Sequence, residues 1–452
     1  MRVKTLALAA VLGLPLPALA QIDPAVLRDA ALKDEIAWDI TEGLTTEIGP
    51  RLAGTEAEAR ARAWSIKKLT AMGFSNVRNE PFQMKTWVRG EETLEVLAPF
   101  PQPLRLTALG NSGATPAAGL RGEIVYFPNL AALQAAPEGS LKGKIAFVSH
   151  AMTRTQDGSQ YGAYGAVRRS GAATASRKGA AAILIRSVGT DYHRNPHAGG
   201  TGFPEGVTPI PAAALSLPDA EQLERIVKRG QPVSVKLTLT PRQIGMTESG
   251  NVIAEVPGSD PAAGLVVVAC HLDSWDLGTG AFDDGAGCGI VTAAAKRVMD
   301  AGKPRRTIRI LWAGAEEVGI FGGKAYFDAH KGERHALASE SDFGADRVWR
   351  IDFKLPESAK AVGDRVAAAL APLGIARGAG PAGGGADVAA LVASGVAGID
   401  LQQDGTRYFD QHHNPDDTLD KIDPVQLRQN VAAWTAMLAV VANAPEEIGA
   451  TR

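Results

Sequence analysis

From Gly250 onward, short β-branched or apolar runs alternate with helix-length segments, and this narrows the fold more than any other feature of the chain. The runs fall at 251–256, 265–269, 307–312 and 396–401, with helices expected over 285–301, 319–331, 358–373 and 386–394. Runs that are apolar throughout need cover on both faces, so they pack as a mostly parallel mixed sheet with helices on each side. The expected class is therefore α/β. In such sheets functional groups gather beyond the carboxyl ends of the strands.

Several metal-ligand candidates fall at those ends. His271 and Asp273 close the 265–269 run, and Glu316 and Glu317 follow the 307–312 run. Asp283 and Asp284 lie in a glycine-rich turn, Asp342 follows Glu340 and Ser341, and His412 and His413 precede Asn414-Pro415-Asp416-Asp417-Thr418. Two imidazoles, at least three carboxylates and one spare carboxylate are what two zinc ions and a general base require. His271 and Asp273, two apart at a strand end, leave on the same face, so the Asp273 carboxylate is expected to hold one ring nitrogen while the other binds metal. Asp283 is read as a bridge between two cations and Asp284 as a helix cap or solvated loop residue. Glu317 is assigned to metal and Glu316 to proton transfer. Glu340 competes with Asp342, and His412 with His413.

Ahead of this region the texture differs. An apolar stripe at Ile36, Ile40, Leu44 and Ile48 predicts helix, and a second helix is bounded by Thr55 and Glu58 as a capping box and by Gly73. From 93 to 241, glycine and proline punctuate strand-like runs at 122–127, 144–148, 181–185 and 233–239, with a helix through 172–178. This stretch reads as an inserted β-rich module. The main domain is then discontinuous, 21–92 and 242–452. Within the insertion, 191–200 is expected to be a surface loop; the alternative is a lid whose Arg194 or His197 meets a peptide terminus.

Residues 1–20 read as an export signal, with Arg2 and Lys4 ahead of a short apolar run and an Ala18-Leu19-Ala20 cleavage pattern. No later apolar run is long enough to span a bilayer. The expected location is periplasmic or secreted. A net charge of −2 offers no field for nucleic acid or anionic membrane. The two cysteines, Cys270 and Cys288, are expected to be buried thiols rather than a disulfide.

The metal segments, with 49–55 and 251–258, resemble the co-catalytic zinc exopeptidases of the aminopeptidase and glutamate-carboxypeptidase family, most of all its carboxypeptidase Q-type members. The insertion is similar to a protease-associated domain, especially at 173–186. The resemblance implies a zinc exopeptidase fold, two Zn2+ ions, short peptide substrates and a homodimer. It makes His271 and Asp342 ligands of one zinc, Glu317 and His413 ligands of the other, Asp283 the bridge and Glu316 the general base. It favours His413 over His412 because the family ligand stands four residues before an acid-Thr pair, here Asp417-Thr418. It implies a cis Asp283–Asp284 peptide, and it makes Asp387 either a receptor for a free amino terminus or a helix cap. His412 is the first candidate for the oxyanion donor and Tyr408 the second; His412 stands where some relatives have tyrosine, a departure from the family pattern at this position. Dipeptidase or aminopeptidase action is the expected chemistry. Carboxypeptidase specificity, a non-catalytic binding protein and a one-zinc glutaminyl cyclase are the alternatives.

Overall fold

The computed structural model describes residues 23–449, so the expected export signal lies outside the described residues. Two eight-stranded sheets organise the chain. The first runs in the order Ser75–Val88, Arg242–Val256, Ile308–Ala313, Leu265–His271, His335–Glu340, Ala397–Gln403, Val348–Lys354 and Ala376–Arg377. Its four central strands, Ile308–Ala313 through Ala397–Gln403, are parallel, whereas antiparallel pairs flank them on both sides. The expected mixed sheet is present, and its parallel core is the part that carries the site.

Alternation along these strands shows why the runs are apolar throughout. Val266, Val268, Cys270, Ile310 and Trp312 pack on one face, in the same core as residues of the helices Ala286–Ala301 and Pro424–Asn443. Val267, Ala269, Leu311 and Ala313 pack on the other with Tyr326, Leu391 and Val392. Both faces are covered, so the runs are apolar nearly throughout, and the buried exceptions are paired: Arg309 with Glu255, and Ser339 with the Ile399 carbonyl. The Pro424–Asn443 helix, not among the helices expected from sequence, starts at a strong local signal. Asp423 accepts from the Val425 and Gln426 amides and Pro424 occupies the first turn, where a missing N–H costs nothing.

The second sheet is built from strands between Glu92 and Leu239, in the order Gln102–Leu104, Glu92–Ala98, Ser234–Leu239, Leu120–Phe127, Ile145–Val148, Ala182–Arg186, Ala212–Leu215 and Leu106–Ala108. The helix Ala166–Arg177 connects its second and third parallel strands, Ile145–Val148 and Ala182–Arg186, and contributes Arg168 and Arg169 to the cavity at the first sheet's site.

Three local expectations are corrected. Thr55 does not form a capping box: its hydroxyl donates to the Leu52 carbonyl, and Glu58 turns inward to accept from Ser249 Oγ at 3.0 Å and to pair with Arg62. The stripe at 36–48 is not one helix but Ile36–Gly43 followed by a wider π turn, Leu44–Ile48. Cys270 and Cys288 are bonded rather than free thiols. The fold brings the end of one strand and the start of the next helix within a Cα separation of 5.1 Å, a pairing distance that sequence spacing does not reveal.

Candidate metal centre

Every central parallel strand delivers a site residue beyond its carboxyl end. His271 ends one strand, and Glu316 and Glu317 follow Ala313 on the next. Asp342 lies two residues past Glu340, and His412 and His413 follow the strand Ala397–Gln403 through the short helix Tyr408–Gln411. Asp283 comes from the turn leading into the Ala286–Ala301 helix.

The side chains converge in two groups that share one carboxylate. His271 Nε2 lies 3.0 Å from Asp283 Oδ1 and 3.3 Å from Asp342 Oδ1. His413 Nε2 lies 2.8 Å from Glu317 Oε2 and 3.3 Å from Asp283 Oδ2. Asp283 thus turns one oxygen to each imidazole. Asp283 Oδ2 and Glu317 Oε1 are buried with no hydrogen-bond partner, so the pocket holds acceptors facing acceptors. That donor set of imidazole and carboxylate fits a divalent cation such as zinc.

The electrostatics follow from crowding acids in a dry place. Burial, and then the neighbouring carboxylates, push Glu316 and Glu317 well above the usual carboxylate range. Burial would lower His271, but Asp342 and Asp283 outweigh it and raise the ring well above its ordinary value. Burial would raise Asp283, but the two imidazoles outweigh it and hold this carboxyl well below the usual range. Burial, reinforced by His413, depresses His412 strongly.

Backbone geometry supports the placement. Ala315, Ile320 and His413 all adopt φ near +60°, a region costly for residues with a Cβ and worst for β-branched ones. The expected Asp283–Asp284 cis peptide is present. Arg51 is fully buried and donates to the carbonyls of Leu272, Thr279 and Gly280, tying together the loop between His271 and Asp283.

A chain resembling this one has been matched along most of its length. Residues 251–438 match the family model of peptidase family M28. Carboxypeptidase Q of Bos taurus is 34% identical over 406 residues, covering 89% of this chain and 84% of that protein. The chain belongs to peptidase family M28. The crystal structure of a peptidase M28 precursor from Shewanella amazonensis SB2B superposes with a TM-score of 0.93 at 47% identity, covering 95% of this chain and 98% of that one. A zinc aminopeptidase from Bacillus subtilis shares the fold, with a TM-score of 0.67 at 20% identity over 90% of this chain and 95% of that one. As an M28 member the protein is a metal-dependent peptidase.

Within this M28 chain the ambiguous pairs separate cleanly. Asp342 reaches His271, whereas Glu340 turns away and accepts from the Asp387 amide at 2.8 Å. Glu317 meets His413, whereas Glu316 lines the open cavity and its amide donates to Asp273 Oδ1 at 3.0 Å. His413 points into the acids; His412 stacks on it at 3.5 Å between ring centroids, with Nε2 3.8 Å from Asp283 Oδ2. Asp273 departs from expectation. Its backbone carbonyl, not its carboxylate, lies 3.0 Å from His271 Nδ1, because the carboxylate is drawn to the Glu316 amide and stays 3.8 Å from the ring. Asp284 is a helix cap as expected, accepting from the Gly287 amide, but it is fully buried rather than solvated. Asp387 caps too, though for the helix Phe321–His330, by accepting from the Gly323 amide, and its second oxygen is left unpartnered.

The 191–200 segment is a surface loop only in part: Tyr192, His193 and Arg194 are exposed, while its second half is buried against the site. His197 is buried, with Nδ1 2.6 Å from the His412 carbonyl and Nε2 2.5 Å from Asp191, and the Ala198 amide donates to the His413 carbonyl. Arg194 is occupied by Asp219. Neither faces the cavity. Four groups that do were missed from sequence, Asn111, Tyr161, Arg168 and Arg169, all from the second sheet's segment. No spacing marks them, because their relation to the ligands exists only after the two sheets pack together.

Proposed function

We propose that this M28 member is a dizinc exopeptidase that hydrolyses short peptides from a free amino end, with dipeptides as its main substrates. The supporting observation is the two-sided Asp283, which offers one oxygen to the His271–Asp342 group and the other to the His413–Glu317 group. In this reading His271, Asp283 and Asp342 hold one Zn2+, and Asp283, Glu317 and His413 hold the second. Zinc there supplies Lewis-acid polarisation of the scissile carbonyl and acidifies water.

The chain's own residues do the rest. Glu316 takes a proton from the attacking water on its carboxylate and returns it to the leaving amine. Its burial raises its affinity for that proton, as a base working near neutrality needs. Asp273 fixes both partners, bonding the Glu316 amide through its side chain and the His271 ring through its carbonyl. His412, neutral because buried, lines the cavity as the candidate donor to the tetrahedral oxygen, with Tyr408 beside it. A cavity of about 600 Å3 suits a ligand of a few residues.

The reading extends to an exported, dimeric enzyme whose 93–241 segment is a protease-associated domain inserted into the 21–92 and 242–452 catalytic domain. No described helix is long and apolar enough to cross a membrane. Zinc titrated into chelator-treated protein, with dipeptide hydrolysis followed at each addition, tests the proposal. Activity should plateau at two equivalents, and amino-blocked dipeptides should resist cleavage. Saturation at one equivalent, or equal cleavage of blocked substrates, would overturn it.

A further inference from the structure

Asp342, Phe343 and Ala386 border two spaces, the metal cavity and a smaller recess of about 210 Å3. Glu317 and His413 border only the first, so the recess leaves the cavity at its His271–Asp342 end. Besides Asp342, the carboxylates of Glu340, Asp400 and Asp157 face this space. Among the described residues that line it there is no lysine, arginine or histidine. Arg350, whose charge reaches Asp400, is itself paired with Asp352 at 2.9 Å.

Glu340 is what sets the recess apart from a merely acidic surface. It is only 7% exposed, and its Oε2 accepts from the Asp387 amide at 2.8 Å, while its Oε1 is buried with no hydrogen-bond partner. A buried carboxylate oxygen without a donor is costly, and it is retained where a donor is to be met. The side chain is also held in place. Gly385, at φ +103°, passes so close that a Cβ there would overlap Glu340. Asp400 is half-buried and oriented by the Gly383 and Gly384 amides at 2.7 and 2.8 Å, whereas Asp157 is exposed. Phe343 and Leu401 add apolar wall between these acids. The volume decides which kind of cation fits. Calcium draws six to eight oxygens to within about 2.6 Å, so a lone ion would leave most of this space empty.

We propose that the recess receives the side chain of the substrate's amino-terminal residue and selects a cationic one, lysine or arginine, with Glu340 as its anchor. This rests on the exopeptidase reading above. In that reading the amino-terminal residue carries the scissile carbonyl, so its side chain departs from the atom next to the carbon held at the metal ligands. Asp342 is at once one of those ligands and part of the recess wall. The four-carbon stem of a lysine lies along Phe343 and Leu401, and its ammonium brings Glu340 Oε1 the donor it lacks. The substrate class is a short peptide with a free amino end and a basic first residue.

Lysyl-alanine and norleucyl-alanine test this, because both keep the α-amino group and the unbranched stem and differ in the side-chain ammonium. On the zinc-loaded protein kcat/KM should favour the lysyl peptide by about tenfold or more, the range of one hydrogen bond between charged groups. Calorimetry on metal-loaded Glu316→Gln protein, which binds without turnover, should show the same preference in Kd. Glu340→Gln, which keeps the shape and removes the charge, should bring the two peptides within about threefold of each other. Asp400→Asn should reduce the preference by less. Each ratio is taken within one protein, so an overall loss of activity does not imitate the result. Equal treatment of the two peptides by the unsubstituted protein overturns the proposal even if Glu340→Gln does not fold, and so does a preference that survives in folded Glu340→Gln. Cleavage of both peptides at one rate would sink the Glu340 role alone, whereas cleavage of neither would overturn the exopeptidase reading and this one with it.

Discussion

Glu316 and Glu317 are adjacent in sequence yet occupy different chemical positions. Glu317 points at His413 and Asp283, while Glu316 borders open space and is steadied through its own amide. Removing the charge of one should therefore spare the other. Glu316→Gln is expected to retain its metal complement while losing about 10^3-fold or more in kcat, within the range for a general acid–base group. Metal analysis beside steady-state kinetics checks this, and a variant with near-normal turnover would remove Glu316 from its assigned role. The neighbouring histidines follow the same logic. Stacked rings 3.5 Å apart look interchangeable in sequence, but only His413 reaches within 3 Å of Glu317.

At the scale of single elements, the strand His335–Glu340 has a different character at each end. Its far end leads to Asp342, whereas its first residue, His335, lies with its Nε2 3.2 Å from the Tyr326 hydroxyl and its Nδ1 3.1 Å from the Glu333 carbonyl. Burial, with Arg309 nearby, depresses this imidazole to about 4. An unfolded chain protonates it near 6.5, so between those values the unfolded state binds the extra proton and stability falls as the pH drops. The loss should reach at most about 3 kcal/mol at pH 4. Thermal midpoints measured from pH 7 to 4.5 should decline less steeply in His335→Gln than in the parent protein; parallel curves would mean that His335 does not titrate as described. The helix Ala286–Ala301 is likewise fixed at its start, through Asp284 and the Cys270–Cys288 bond, beside the residue that both metal groups share.

Across the whole molecule the centre is a cluster of like charges that packing forces together. Asp283 with Asp284, Glu316 with Glu317, and Asp342 come from three separate segments, and all are buried or nearly so. A cation that binds only the folded arrangement stabilises it by mass action, about 2.7 kcal/mol when free metal is a hundred times its Kd. Chelation should lower the melting temperature, and zinc should restore it in a concentration-dependent way. Identical scanning-calorimetry midpoints with and without chelator would contradict this coupling.

Much of this was legible in the chain itself. Uniformly apolar runs separated by helical segments determined a doubly covered sheet, and the candidate ligands stood just past those runs, because the carboxyl ends of parallel strands lie along one edge. What required the folded molecule was every choice between neighbours: Glu317 over Glu316, Asp342 over Glu340, the Asp273 carbonyl over its carboxylate, a bonded cysteine pair over free thiols. Those choices depend on distances of a few ångströms between segments far apart in sequence, and local pattern carries no such distances. Arg168 is the extreme case, since its helix has no periodic signal toward the candidate ligands and only the packing of the second sheet against the first brings it to their side.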